Sequence, residues 1–410
     1  GFSPARLARI NDIMTKKYVD TGMLPGILTL VHRKGETVYT GMSGMMDIAR
    51  NKQMREDTLF RIYSMTKPIT AVALMMLVEE GKLGLEDDVH VHIPSWKNMR
   101  VYGSGVPSLV ENTAGQFITT APKRRMKVVD LVTHTAGLTY GFMFRTSVDG
   151  EYRRKKIGDF QTQGGLAAFI EELANTPLEF SPGEAWNYSV SIDVMGYLVQ
   201  KLSGMTFGEF LRTRLFEPLG MKDTFFSVPA DKMDRFCSCY MPGKDGKLVI
   251  QDDAGKSTYA EPPKLESGGG GLVSTAHDYM RFCRMMLGGG SLDGVQILSP
   301  KTVAMFGMNL LPGNKLMADM SLAATFSEAG YGGIGFSIGC GVTMDIAKAR
   351  IPGTPGEFFW GGAASTAFWI DPKEDLAVVF MTQVMGTDAR LTLRRDLRTL
   401  VYSAMTESLA

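Results

Sequence analysis

The first 85 residues are predicted to form an amphipathic helix, a hairpin and a second, buried helix. Apolar residues recur every three or four positions across residues 4–20, which is the spacing of one helix face. The stretches GILTLVHR and ETVYTGMSG flank the dipeptide Lys34-Gly35, a pattern typical of a β-hairpin. Residues 64–80 are apolar nearly all round and precede Gly81, which suits the end of a helix. We therefore expect this second helix to lie in the interior.

The middle of the chain differs in pattern from its end. From about 86 to 330, segments with helical spacing alternate with long loops rich in Gly and Pro. After 330 the pattern returns to strands, with GGIGFSIGCGVTM resembling one continuous strand, and residues 389–405 predict a closing helix. We predict an α/β fold in which a discontinuous sheet domain, residues 1–85 and 331–410, carries a mainly helical inserted domain, residues 86–330. The cleft between the two is the expected place for chemistry.

Composition excludes several classes of partner. The chain carries 44 Lys and Arg residues against 43 Asp and Glu, a formal net charge of +1. Without a basic field, we expect no binding of nucleic acid or of an anionic membrane surface. The longest apolar runs, residues 71–78 and 376–381, are far shorter than the ~20 residues of a membrane-spanning helix. Four cysteines without metal-ligand spacing are expected to be reduced thiols in a soluble, cytoplasmic protein, whose oligomeric state the sequence leaves open.

Three patterns are weaker candidates for chemistry. His90 and His92 lie two apart, and on a strand such a pair could share a metal ion. No third ligand is evident, and the stretch is interpreted as the loop after the second helix. His134, in THTAGL, is interpreted as a structural hydrogen-bonding residue. The glycine run 268–271 lacks the Gly-Lys-Ser/Thr continuation of a phosphate loop, so we expect it to let the backbone pass close to the cleft. We expect neither a metal nor a cofactor.

Two serines occur in patterns that resemble hydrolase signatures. GFSIG, at 335–339, matches the nucleophile elbow of α/β-hydrolases, which needs a histidine later in the chain. All five histidines precede Ser337, and no helix is predicted to follow it. We therefore expect Ser337 to be an ordinary strand residue.

The other candidate is Ser64 in YSMTKP. Pro68 fits a helix only in its first turn, which places the helix start at 64–67 with Ser64 at its edge. Lys67 lies on the same face, and burial would lower its pKa so that a neutral amine could accept the serine proton. The helix N-terminus also supplies N–H groups for an oxyanion. These residues alone are equally compatible with a serine that caps the helix and a lysine on the surface.

Two further segments favour the catalytic interpretation. Tyr188 lies between a Pro-Gly turn and a helix predicted near Ser191, where it can relay a proton if a cation lowers its pKa. In EFFWGGAAST, two glycines interrupt a strand, which is typical of close approach between a ligand and the backbone. The Ala363 amide after them is a candidate second oxyanion donor beside that of Ser64.

Taken together, these motifs resemble the serine β-lactamase and penicillin-binding-protein superfamily, and within it the family VIII carboxylesterases. The resemblance covers nearly the whole chain, and its motifs are the Ser64-x-x-Lys67 helix, LVTHTAGL at 131–138, PGEAWNYS at 182–189, GGGGLVSTAHDYMRF at 268–282 and the WGG strand. It implies an antiparallel sheet flanked by N- and C-terminal helices, with an inserted helical domain. It also implies a catalytic centre of Ser64, Lys67 and Tyr188.

The chain departs from the β-lactamases of this superfamily at two places. Val190 stands where they have the Asn of Tyr-x-Asn, two residues after Tyr188. Trp360-Gly361-Gly362 stands where they have Lys-Thr-Gly, so the expected partners of a substrate carboxylate are missing and Trp360 offers an aromatic wall.

These departures favour neutral esters over anionic β-lactams. The resemblance implies a serine esterase whose substrates are small molecules, namely short to medium acyl esters. It is also compatible with weak hydrolysis of β-lactams. A β-lactamase or D-amino-acid peptidase, an acyltransferase, and an inactive binding module remain alternatives.

Overall fold

An eight-stranded antiparallel sheet is built from the two ends of the chain. The computed structural model describes residues 1–105, 117–322, 332–387 and 389–410. In the sheet the strands follow the order β12-β13-β14-β15-β16-β1-β2-β3, so the last strand of the chain lies beside the first. The predicted fold class and the pairing of strands from both ends are confirmed.

The strands are short outside the central sheet. In chain order they are β1 (Gly26–Arg33), β2 (Glu36–Asp47), β3 (Lys52–Gln53), β4 (Phe60–Arg61), β5 (Val101–Gly105), β6 (Phe117–Thr120), β7 (Cys239–Pro242), β8 (Leu248–Asp252), β9 (Val273–Ser274), β10 (Ser291–Leu292), β11 (Val295–Gln296), β12 (Ile334–Phe336), β13 (Gly341–Thr343), β14 (Phe358–Gly361), β15 (Ala367–Asp371) and β16 (Leu376–Met381).

The helices lie at the two ends of the chain and throughout its middle. They are α1 (Pro4–Met14), α2 (Thr66–Glu79), α3 (Val89–His92), α4 (Val128–Val132), α5 (Ser147–Lys155), α6 (Gly165–Ala174), α7 (Ser191–Ser203), α8 (Phe207–Leu211), α9 (Glu217–Leu219), α10 (Ala276–Leu287), α11 (Pro300–Ala304), α12 (Met317–Met320), α13 (Ile346–Ala349) and α14 (Arg390–Ser403). Among the described residues, no helix has the length and apolar character needed to cross a membrane.

Both faces of the sheet are covered by helices. On one face α1 and α14 pack together over side chains such as Val31, Val378 and Phe380. On the other, α2 and α10 belong to a larger core that includes Leu28 and Val379. Because side chains alternate across a strand, neighbouring residues such as Val378 and Val379 enter different cores. This double burial explains why LAVVFM in β16 is apolar throughout.

The predicted hairpin and the buried helix are both confirmed. Lys34 and Gly35 adopt left-handed backbone conformations, with φ of 52° and 80°, and join β1 to β2 in a tight turn. Twelve of the fourteen residues of α2 are buried, from Thr66 to Leu77. Gly81, with φ of 70°, follows the end of this helix. The first helix is shorter than predicted, since α1 ends at Met14 and a wider π turn continues to Val19.

Two local predictions are wrong. GGIGFSIGCGVTM is not one strand, because the chain turns at Ser337–Cys340 between β12 and β13, where Gly339 has φ of 69°. His90 and His92 lie in the single helical turn α3 rather than in a loop, and His92 contacts the Asp87 carboxylate at 2.8 Å. Within the described ranges, no three or more His, Cys, Asp or Glu side chains form a group that could hold a metal ion.

The predicted inserted segment contains strands as well as helices. The hairpins β5–β6, β7–β8 and β10–β11 and the two-stranded pair β4–β9 lie wholly or partly within residues 86–330. The boundary between 85 and 86 stays a prediction. The boundary between 330 and 331 lies outside the described residues.

Candidate active site

Ser64 lies at a sharp turn where the chain enters α2. A 3₁₀ turn, Tyr63–Met65, leads directly into that helix. Tyr63 has φ of 41°, a left-handed conformation that residues with side chains rarely adopt. Pro68 is the third residue of α2, within the first turn, where its missing N–H costs no helical hydrogen bond. The predicted helix start, with Ser64 at its edge, is confirmed.

Lys67 points from the first turn of α2 back to Ser64. Its side chain is buried, and Nζ lies 3.2 Å from Ser64 Oγ and 2.6 Å from the carbonyl oxygen of Gly269. Burial lowers the pKa of Lys67 to about 7, although the charge of Asp193 raises it. Since Lys67 is buried and Ser64 makes no side-chain cap, the alternative of a capping serine and a surface lysine is wrong.

Tyr188 is the second side chain, after Lys67, that contacts the Ser64 hydroxyl. Its hydroxyl donates to Ser64 Oγ at 2.6 Å, and Lys67 Nζ lies 4.4 Å from the centre of its ring. The residue sits in the loop before α7, which begins at Ser191 as predicted. Burial raises the pKa of Tyr188, and its hydrogen bonds with Ser64 and Trp360 and the charge of Arg394 only partly oppose this rise. The condition set from the sequence, a pKa lowered by a cation, is not met, and the raised pKa favours the protonated phenol.

Trp360 lies behind Tyr188. It is 1% exposed, and its indole N–H donates to the Tyr188 oxygen at 3.3 Å. The described residues that line the cavity above Ser64 include Gly361, Gly362 and Ala363 but not Trp360. The structure thus places this indole where it orients Tyr188, rather than in the substrate wall expected from the sequence.

The two glycines after Trp360 are enforced by packing. A Cβ on Gly361 would collide with the Arg394 guanidinium, and one on Gly362 would lie 2.6 Å from the carbonyl oxygen of Ile62. The chain therefore passes closely over the turn that carries Ser64. Among the described residues, the backbone N–H groups of Ser64 and Ala363 have no hydrogen-bond acceptor, and both residues line the cavity. The assignment of these two amides as oxyanion donors stays a prediction.

The cavity above Ser64 has a volume of about 580 Å³, in the range of small-molecule sites. Aromatic side chains form much of its lining, namely Tyr63, Tyr140, Phe142, Tyr152, Phe160 and Tyr188. Four cationic side chains also line it, namely Arg153, Lys156, Arg390 and Arg394. Arg394 is committed to the protein itself, because it donates to the carbonyl oxygens of Gly362 and Thr366.

Asp193 is a buried carboxylate of the site that sequence reasoning missed. It lies in the first turn of α7, and its Oδ1 accepts hydrogen bonds from the Ser267 hydroxyl and, at 3.0 Å, from the Gly269 N–H. The same Gly269 holds Lys67 through its carbonyl oxygen. Burial raises the pKa of Asp193, whereas these hydrogen bonds and Lys67 oppose the rise. An acidic residue in a first helical turn is common, so the sequence carried no distinguishing signal.

The other residues singled out from the sequence are His134, the glycine run 268–271 and Ser337. His134 Nδ1 lies 3.1 Å from Ser189 Oγ and accepts from the Ser189 N–H, so the predicted structural hydrogen bond is confirmed. The 268–271 run passes the cleft as predicted, since Gly269 and Gly270 line the cavity. Ser337 is fully buried, and its hydroxyl donates to the carbonyl oxygen of Phe306 at 2.7 Å.

Comparisons with known proteins identify the family of the chain. The profile of the Beta-lactamase family matches residues 12–403. Protein Rv1367c of Mycobacterium tuberculosis is 34% identical over 377 residues, which cover 91% of this chain and 89% of the relative. Esterase EstB of Burkholderia gladioli is 28% identical over 423 residues, with 97% and 96% covered.

A solved structure extends the likeness to the fold. EstCE1, described as a hydrolase with promiscuous acyltransferase activity, superposes with a TM-score of 0.78 at 24% identity and covers 97% of this chain and 99% of its own. The fold and the matches define a serine hydrolase of the β-lactamase and penicillin-binding-protein-like class. The chain belongs to the Beta-lactamase family.

Replacement of Asp193 tests how the site sets the basicity of Lys67. In Asp193→Asn the carboxylate charge that raises the pKa of Lys67 is lost, so that pKa falls further below its ordinary value. With Lys67 as the general base, which acts when unprotonated, we expect the acidic limb of kcat/KM for a p-nitrophenyl ester to shift to lower pH, by about one unit. Asp193→Glu keeps the charge and should leave the limb in place. A limb that does not move in Asp193→Asn contradicts the assignment.

Proposed function

We propose that the protein is a carboxylesterase that works through an acyl-enzyme on Ser64. The observation that carries this proposal is the convergence of Lys67 Nζ and Tyr188 Oη on Ser64 Oγ, at 3.2 and 2.6 Å, beside an open cavity. A hydroxyl with its own base and a second proton-carrying group is the arrangement that nucleophilic catalysis requires. No metal or cofactor takes part in this scheme.

In acylation, Ser64 Oγ forms a bond to the ester carbonyl carbon while its proton passes to the neutral amine of Lys67. The backbone N–H groups of Ser64 and Ala363 hold the resulting oxyanion. As the bond to the leaving oxygen breaks, Tyr188 donates its proton to that oxygen. The Lys67 ammonium then returns a proton to the Tyr188 phenolate, which restores both groups.

In deacylation, water attacks the acyl carbon in place of the departed alcohol. Its proton passes to Tyr188 as the proton of Tyr188 passes to Lys67, so the buried phenol acts as a relay rather than as a free base. The bond between Ser64 Oγ and the acyl carbon then breaks, and Oγ recovers a proton from Lys67. The raised pKa of Tyr188 and the pKa of about 7 at Lys67 support this division of roles.

The substrates we propose are short to medium acyl esters, small molecules that fit the cavity. Val190 stands where the β-lactamases have the side-chain amide of the Asn in Tyr-x-Asn. Val190 is buried, and its side chain has no polar group. The place of Lys-Thr-Gly is taken by Trp360-Gly361-Gly362, where the indole contacts Tyr188 and cannot pair with a carboxylate. Weak β-lactam hydrolysis is compatible with the same centre.

Acyl transfer to an alcohol other than water is a second candidate function. The structural neighbour EstCE1 is described as having promiscuous acyltransferase activity. A cavity of about 580 Å³ leaves room for an acceptor alcohol beside the acyl group. In such a reaction the alcohol would replace water in the second step, with the same proton transfers.

A pair of matched variants tests whether Ser64 or Ser337 is the nucleophile. Ser64→Ala removes the nucleophile and should lower hydrolysis of a p-nitrophenyl ester by about 10⁴-fold or more. Ser337→Ala removes only a buried hydroxyl that donates to a carbonyl oxygen, so most activity should remain once folding has been checked by circular dichroism. Equal losses in the two variants would contradict the assignment of Ser64.

The substrate class is tested by comparing kcat/KM for three kinds of substrate. A p-nitrophenyl ester should be turned over far faster than nitrocefin or a peptide ending in D-Ala, because Val190 and Trp360-Gly361-Gly362 stand where the β-lactamases have Asn and Lys-Thr-Gly. A preference for nitrocefin or the peptide would favour a β-lactamase or peptidase. Absence of turnover together with no labelling by a fluorophosphonate would indicate an inactive binding module.

A further inference from the structure

Three aromatic rings form a continuous path from the nucleophile to the surface. Tyr188 contacts Ser64 directly, and its ring centre lies 5.3 Å from that of Tyr140. Tyr140 in turn stacks on Phe142, with ring centres 4.7 Å apart and planes 18° from parallel. All three residues line the cavity. We call Tyr188, Tyr140 and Phe142 the aromatic strip.

The outer end of the strip is an exposed phenylalanine that stacks on Tyr140. Phe142 is 61% exposed, although a side chain of its size is usually buried. Its stack on Tyr140 holds the ring at the cavity rather than in free solvent. Exposed apolar surface that continues into a cavity is typical of a ligand-binding groove.

The polar atoms of the aromatic strip face other protein groups. The hydroxyl of Tyr140 is turned towards Gly269, since a Cβ added to that glycine would lie 2.9 Å from it and 2.6 Å from the Asp193 carboxylate. The hydroxyl of Tyr188 is engaged with Ser64 and Trp360. Phe142 has no polar atom. The rings of the strip therefore offer apolar surface for hydrocarbon between Ser64 and solvent, in a cavity whose lining also includes the cationic Arg153, Lys156 and Arg390.

We propose that the aromatic strip is a binding site for the hydrocarbon chain of the ester, which makes Phe142 a determinant of chain-length specificity. This inference rests on the proposed esterase function and names its substrate class. A chain that is attached to the reacting carbonyl group lies against Tyr188 first and reaches Phe142 only when it is long enough. Either the acyl chain or the alkyl chain of the alcohol can supply this hydrocarbon.

Two ester series distinguish the sources. The first varies the acyl group of p-nitrophenyl esters from acetate to decanoate, and the second varies the alcohol of alkyl acetates from ethyl to decyl, followed by acid release in a pH-stat. In the series whose chain occupies the strip, kcat/KM should rise by about two- to fourfold per methylene until the chain passes Phe142. The other series should be nearly flat.

Phe142→Ala should reduce that rise selectively. For the longest chains that reach the strip, kcat/KM should fall by about tenfold, and the loss should shrink steadily as the chain shortens. Phe142→Leu, which keeps apolar surface, should restore part of the preference. Phe144→Ala is the matched control, because Phe144 is 74% exposed, packs on the Arg153 guanidinium at 4.2 Å and does not line the cavity among the described residues.

The possible outcomes test the role of the aromatic strip and the esterase activity separately. A chain-length preference in either series that Phe142→Ala weakens and Phe144→Ala leaves intact supports the strip. Hydrolysis of short esters with no preference in either series, or with a preference that Phe142→Ala does not change, overturns the strip and leaves the esterase in place. No turnover of any ester by the unmodified protein overturns the esterase proposal itself.

Discussion

The burial of a single amine is the constraint on which the rest of the site depends. An exposed lysine has a pKa near 10.4, so only about one molecule in a thousand or fewer carries the neutral amine at pH 7. Lys67 is 1% exposed, and its lowered pKa of about 7 raises that share to about half. A base of this strength at 3.2 Å from a hydroxyl requires no histidine. The same burial favours the neutral amine over the ammonium, and so the chemistry and the environment of this lysine are inseparable.

The fold supplies the burial from several directions. Helix α2 is enclosed on nearly all sides, packs against α7 and belongs to the large core on one face of the sheet. Helix α7 brings Asp193, whose hydrogen bond to the Gly269 N–H steadies the loop that holds Lys67. The end of β14 passes over the turn that carries Ser64, and the glycines there permit the close approach. Each contact joins segments far apart in the chain.

Features of the site that depend on neighbouring residues could be predicted from the sequence, whereas those that depend on contacts between distant segments could not. Ser64 and Lys67 were accessible because they lie one helical turn apart and Pro68 marks the helix start, which are local properties. Asp193 and Tyr140 carried no such signal, because their roles arise only when α7 and the 268–271 run meet α2. The position of Trp360 was predicted incorrectly for the same reason. The sequence indicates that this residue lies on a strand next to the site, but not on which side of Tyr188 its ring lies. The turn at Ser337 was missed because a short glycine-containing hairpin has the alternation of a single strand.

The central claim is that Ser64 is a nucleophile activated by the neutral amine of Lys67. The most direct measurement is the rate at which a fluorophosphonate labels the intact protein between about pH 5 and about pH 9, with the labelled residue identified by mass spectrometry. We expect a label on Ser64 and a rate that rises with pH around a midpoint near the Lys67 pKa of about 7. A label on another residue, or a rate at Ser64 that does not change across this range, would contradict it.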